Sequence, residues 1–132
     1  MTEKELKDGF VRVFRTLVPA AVVLRHEDKN TAGIPDISIT YRGRTVWIEV
    51  KYADPFFDGR GLQKLTCLRL AVQGICWYLV YENRKGYRRT FFLQPKDVVE
   101  DTITEIPDEC MAPGFDHEFA VNFVRRICGD HH

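Results

Sequence analysis

Asp36, Glu49 and Lys51 are the residues around which a reaction can be argued. An aspartate opens one β-rich run, and Glu-Val-Lys closes the next. Carboxylates at strand ends offer hard oxygen ligands, and an ammonium two residues beyond the second acid can stabilise developing negative charge. This grouping suits metal-assisted hydrolysis of a phosphodiester. Asp36 and Glu49 would ligate the cation, the backbone carbonyl of Val50 would add a third oxygen, and Lys51 would orient the attacking water or steady the transition-state charge. Such a cation activates water and neutralises charge building on the phosphate oxygens. The all-oxygen set favours Mg²⁺, with Mn²⁺ able to substitute, because no Cys/His cluster is spaced for zinc. The plainer reading of the same three residues is an exposed salt bridge at a strand end.

Two β-rich runs must position these groups. Ile37, Ile39 and Tyr41 alternate with Ser38 and Thr40, Arg42-Gly43 interrupts, and Thr45, Val46, Trp47, Ile48 and Val50 resume the pattern. X-Gly between such runs predicts a two-residue hairpin, and pairing the strands across it brings Asp36 near Glu49. Side chains alternate along a strand, so Glu49 and Lys51 share a face and Val50 points to the other. Ahead of the hairpin, Leu6, Phe10, Val13, Phe14 and Leu17 fall at helical spacing behind Thr2, a suitable N-cap, which predicts an amphipathic helix over residues 2–17. Glu3 lies within the sector of Phe10 and Phe14, whereas Glu5 lies off it. An inward carboxylate needs a partner, unless Glu3 is simply a first-turn acid favoured by the helix dipole and left in solvent.

Elsewhere the patterns predict a short buried strand over 20–24 and a polar segment at His26-Glu27-Asp28, read either as ligands or as a turn. A loop over 52–61 carries Phe56-Phe57, which either pack down or stack on bases. A second helix over 62–73 stops at Gly74, and a strand over 75–81 is apolar enough to be buried on both faces. A turn over 82–86, a strand over 87–93, a helical turn or two over 96–101 and an irregular stretch over 102–114 follow. Asp116 then caps a last amphipathic helix through Phe119, Phe123 and Ile127.

At 132 residues and 45% hydrophobic content the chain is expected to form one domain, residues 1–132, with its own core. Four cysteines show no C-x-x-C pair, which argues against a disulfide framework or structural zinc and for buried thiols in a reducing compartment. No run of 18 apolar residues and no leader pattern occurs, so a soluble, cytoplasmic protein with no membrane partner is expected. The net charge of zero hides an asymmetry: residues 61–94 hold 6 Lys/Arg against 1 acid, and residues 95–132 hold 3 against 9. A basic middle beside a carboxylate cluster favours a phosphodiester substrate. Arg60, Lys64, Arg84, Lys85, Arg88 and Arg89, with Arg25 after the first strand, are the cations expected on DNA. The alternative is a solvated basic face balanced by an acidic helix.

Pro35-Asp36 and Glu49-Val50-Lys51 match the two halves of the PD-(D/E)XK motif, and the chain resembles that nuclease superfamily. Within it the chain is most similar to virus-type replication-repair nuclease (VRR-NUC) domains, themselves similar to small Holliday-junction resolvases. Gly33 to Asp36 matches their G-x-P-D, Gln63 stands where they place a glutamine opening the next helix, and Glu3 matches a glutamate early in the first helix. The resemblance covers about residues 2–82 and leaves 95–132 unmatched. It implies an α/β domain of restriction-endonuclease-like fold, with a central mixed sheet flanked by helices. It also implies a Mg²⁺-dependent DNA endonuclease of replication or repair, acting on branched or junction DNA as a homodimer. Glu3 would be a further metal ligand and Gln63 a further catalytic residue. Two rivals are a nuclease fold that no longer cuts and binds DNA or protein, such as a phage inhibitor, and a restriction-type enzyme reading a short sequence. The unmatched stretch 95–132 could be a dimer surface, a cover for the sheet edge, or additional core.

Overall fold

The computed structural model describes residues 2–26, 35–53, 75–84, 86–99, 102–103 and 105–130. Helix α1 spans Glu3–Leu17 and is capped by Thr2, whose hydroxyl accepts from the Glu5 N–H at 3.2 Å. Strands β1 (Val22–Arg25), β2 (Ile37–Tyr41), β3 (Arg44–Ala53), β4 (Cys76–Arg84) and β5 (Tyr87–Leu93) follow. Beyond them lie a short ribbon of β6 (Val98–Val99) and β7 (Thr102–Ile103), then β8 (Met111–Pro113) and helix α2 (His117–Ile127). The architecture is α/β. A six-stranded mixed sheet runs in the order β1-β2-β3-β4-β5-β8, parallel between β3 and β4 and antiparallel elsewhere.

The β2–β3 hairpin turns on Arg42 and Gly43, with φ of 55° and 78°. Two positive values make the turn whose twist suits a hairpin, and Gly43 takes its conformation without a Cβ penalty. The ladder pairs Ile37 with Ile48 and Ser38 with Trp47. The two described helices, α1 and α2, pack on one face of the sheet. There Leu6, Phe10 and Phe14 of α1 and Ala120, Val121 and Val124 of α2 bury against Ile37, Ile39, Ile48, Val50, Leu79 and Phe92. On the opposite face Tyr78, Val80, Phe91 and Leu93 are buried with Ile106. Strand β4 is thus covered on both sides, which accounts for its continuous apolar run.

The structure departs from several expectations. The predicted turn over 82–86 is in part strand: β4 continues through Arg84, because Glu82 pairs with Arg89 and Arg84 with Tyr87 in the β4–β5 ladder. Tyr52 and Ala53 belong to β3 rather than to a loop. The first strand lies at Val22–Arg25, two residues later than its apolar run suggests. In place of helix over 96–101 there is one 3₁₀ turn, Pro95–Asp97, and then β6. The stretch 102–114 is not wholly irregular, since β8 pairs with β5 and extends the sheet. The predicted helix over 62–73 and the Phe56-Phe57 pair lie outside the described residues. Of the roles open to 95–132, β8 does cover an edge and α2 does supply core. Among the described residues no helix is long and apolar enough to cross a membrane.

Candidate active site

Strand β2 begins at Ile37 while β3 runs on to Ala53, so the last residues of β3 extend past the start of β2. Backbone N–H groups on that edge need other acceptors. Two carboxylates supply them. Asp36 Oδ2 accepts from the Val50 N–H at 3.1 Å, and Glu3 Oε2 accepts from the Tyr52 N–H at 3.4 Å. Glu3 therefore has a structural partner while staying exposed, and it stands at the same strand end as Asp36. The N–H and C=O of one strand residue point to the same side, so the Val50 carbonyl also faces this edge.

Glu49 and Lys51 project from the sheet face opposite the helices. Lys51 Nζ lies 3.9 Å from Glu49 Oε2, and the Glu49 residue is only 3% exposed. Asp36 directly precedes Ile37, whose pairing with Ile48 ends the β2–β3 ladder. It is fixed from three directions: its carbonyl accepts from the His26 N–H at 2.8 Å, Oδ2 takes the Val50 N–H, and Oδ1 pairs with Lys7 Nζ at 3.3 Å. His26 itself bonds Ser38 Oγ through Nε2 at 2.7 Å and packs on Trp47. This accounts for the histidine as a packed, hydrogen-bonded group. Glu27 and Asp28 lie outside the described residues.

The sequence did not point to two members of this end of the sheet. Lys7 comes from the second turn of α1, where it looks like an ordinary helix cation; only the crossing of α1 over β2 brings it to Asp36. Glu82 sits on the same face as Glu49 and Lys51, in the row Tyr78, Val80, Glu82 along β4. It is 3% exposed and paired with Arg89, whose Nε donates to Oε1 at 3.0 Å and whose guanidinium lies over the Phe91 ring. Its place in a charged segment disguised it as turn, although two residues of alternation beyond Val80 would have found it.

Among the described residues, Arg25, Arg88 and Arg89 of the cations expected on DNA do not share one surface. Arg25 ends β1 and pairs with Asp8, four strands or about 19 Å from β5. Arg88 lies over Phe115 on the helix side, while Arg89, its neighbour in β5, points to the opposite face. Arg84 ends β4. Gln63, Arg60, Lys64 and Lys85 lie outside the described residues.

Whether this end of the sheet fits a hard divalent cation turns on its donor set. Asp36, Glu49, the Val50 carbonyl and Glu3 are all oxygen donors, the chemistry Mg²⁺ prefers, and they form an open edge rather than a closed cage. Lys7 already places one positive charge against Asp36. Among the described residues no three His, Cys, Asp or Glu side chains form a ready-made ligand group, so a cation here would keep waters in its shell. No family model and no curated protein matches the sequence.

Proposed function

We propose that this chain is a Mg²⁺-dependent DNA endonuclease of the PD-(D/E)XK type, with a restriction-endonuclease-like fold. It resembles VRR-NUC domains and acts on branched DNA in the cytoplasm as a homodimer. The observation that supports this reading is that Asp36 and Glu3 take the Val50 and Tyr52 N–H groups at the end of β3, the strand that also carries the Glu49–Lys51 pair. Asp36, Glu49, Glu3 and the Val50 carbonyl are the groups to hold the cation, and Mn²⁺ can take its place. When bound, the metal supplies Lewis acidity and neutralises phosphate charge. Asp36, clamped by the Val50 N–H, is held in place before substrate arrives, so little reorganisation is left for the reaction. Lys51 stands over Glu49 as a compact cation, suited to orient water and stabilise charge on the scissile phosphate.

A second reading, the fold as a module that binds DNA or protein without cutting, is favoured by one observation: both Asp36 oxygens are already engaged, one by Lys7 and one by Val50. Incubation with supercoiled plasmid, single strands and a four-way junction, with Mg²⁺ or EDTA, separates the two. The expected result is Mg²⁺-dependent cleavage of the junction. Asp36→Ala and Lys51→Ala should each reduce it by about 10²-fold or more with an unchanged circular-dichroism spectrum. Full activity in either variant would overturn the assignment of these residues. Binding without metal-dependent cleavage would favour the second reading, and discrete fragments from linear DNA would indicate a restriction-type enzyme.

A further inference from the structure

Helix α1 carries a row of cations that plays no part in the strand-end site. Lys4, Arg12 and Arg15 from α1 and Arg25 from β1 line a groove of about 630 Å³, with Val11 and Thr16 completing its wall. Asp8 is the acid among these described lining residues, and it is already engaged by Arg25. Lys4 sits in the first turn, where the helix dipole disfavours a cation. Among the described residues neither Lys4 nor Arg12 has a carboxylate partner. Arg15 is anchored instead through Nη2 to the Val23 carbonyl at 2.8 Å. Part of its guanidinium is thereby fixed, with donors left over.

The position of the groove gives the row a direction. At 3.6 residues per turn, Lys7 lies roughly 60° around α1 from Lys4, so the ion pair with Asp36 borders the groove on one side. On the strand side, Arg25 directly precedes His26, whose N–H donates to the Asp36 carbonyl. From Lys4 to Arg15 is about three turns, roughly 16 Å, the length of about five base steps of about 3.4 Å measured along a duplex axis. Guanidinium forks match phosphate oxygens in pairs, and a line of them fixes register without reading bases.

We propose that the α1–β1 groove is a phosphate-backbone track: Lys4, Arg12, Arg15 and Arg25 hold one strand of duplex DNA on its way to the carboxylates at the end of β3. The proposal rests on the nuclease reading and adds a surface to it. It adds the first helix to the cations of the basic middle of the chain as a DNA contact.

The test measures binding of a fluorescent 30-base-pair duplex by anisotropy in Ca²⁺ or EDTA across a salt series, beside plasmid cleavage in Mg²⁺. The Lys4→Glu/Arg12→Glu double variant changes two exposed side chains and should still unfold in a single cooperative transition, with a melting point at or slightly above that of wild type. It is expected to bind at least tenfold more weakly. Its plot of log affinity against log salt should be shallower by about two, at about 0.9 for each phosphate no longer neutralised. Asp8→Asn, which removes the carboxylate from the groove wall, is expected to bind more tightly. Wild type that binds and cuts DNA, with the double variant binding equally well and with the same salt slope, would overturn the groove alone. Wild type that neither binds nor cuts would overturn the nuclease reading and the track with it. Equal losses of affinity for DNA and for poly-glutamate would assign the groove to an acidic polypeptide and overturn the track.

Discussion

Lys7 and Asp36 are separated by 29 positions and meet only because α1 crosses the start of β2. Lys7 Nζ stands 3.3 Å from Asp36 Oδ1, and both side chains are about one-fifth exposed, at 19% and 23%. A partly solvated pair of this kind contributes on the order of 0.5–1 kcal/mol. If Asp36 ligates a divalent cation, that ion must displace or share the oxygen with the Lys7 ammonium. Lys7→Met is therefore expected to tighten Mn²⁺ binding by about two- to fivefold, the equivalent of that energy. Titration calorimetry without DNA reads this directly, and unchanged or weaker binding would show that Lys7 does not compete for the site. Lys51 makes the opposite case. Two residues from Glu49 on one strand, its pairing is set by the pleat alone and was legible from residue spacing.

At the level of elements, the crossing of α1 with α2 depends on Gly9. This glycine is buried in mid-helix, where alanine would normally gain about 1 kcal/mol. A Cβ there would stand 2.9 Å from His117 Nε2, and that ring is held in place by an edge contact with Tyr81. Gly9→Ala is accordingly expected to destabilise by about 1–3 kcal/mol, the usual effect of overpacking. In a His117→Ala background the same substitution should stabilise by about 0.5–1 kcal/mol. Urea midpoints of the four proteins check this, and additive effects would show that the ring yields. The helices and long strands announce themselves through local periodicity: α1 by Leu6, Phe10 and Phe14, β4 by its unbroken apolar run. The three-residue β8 does not. With a proline among its residues it is tolerated only at an edge, and nothing local marks it as strand until β5 lies beside it.

Across the whole molecule, stability depends on keeping a histidine neutral. Burial pushes the His117 pKa below its ordinary value of 6.5; the Arg12 guanidinium adds to this, while the Leu6 carbonyl and Asp116 oppose it. The unfolded chain therefore takes up a proton near pH 6.5 that the folded chain accepts only at lower pH. Stability is full above the ordinary histidine range and falls as pH drops below about 6.5, until His117 titrates in the folded state. Unfolding curves between about pH 7.5 and 5.5 should show this loss, and His117→Gln should flatten it. An equal slope in the variant would place the linkage elsewhere. Tyr81, beside it, is pushed up by burial and by Asp116, so it stays un-ionised throughout that range. The chain is closed onto this core at its far end by Arg125, which holds the buried Asp130 carboxylate at 2.6 Å, within reach of the Tyr41 hydroxyl on β2.

The sequence by itself determined the parts whose signals are local. These are the amphipathic face of α1, the Arg42-Gly43 turn, the alternation that puts Glu49 and Lys51 on one face, the doubly buried β4 and the Asp116 cap. Each is fixed by residues within a few positions of one another, the range over which backbone geometry repeats. Only the tertiary structure decided what depends on residues far apart in the chain. It set Lys7 against Asp36, joined Glu82 to Arg89, started β2 late enough for Asp36 and Glu3 to take the edge N–H groups of β3, and lined α1 with Arg25 to make a basic groove. No period in a sequence encodes which helix face meets which strand end. That is settled by burial of the whole apolar surface at once, and the polar groups are carried to their partners by it.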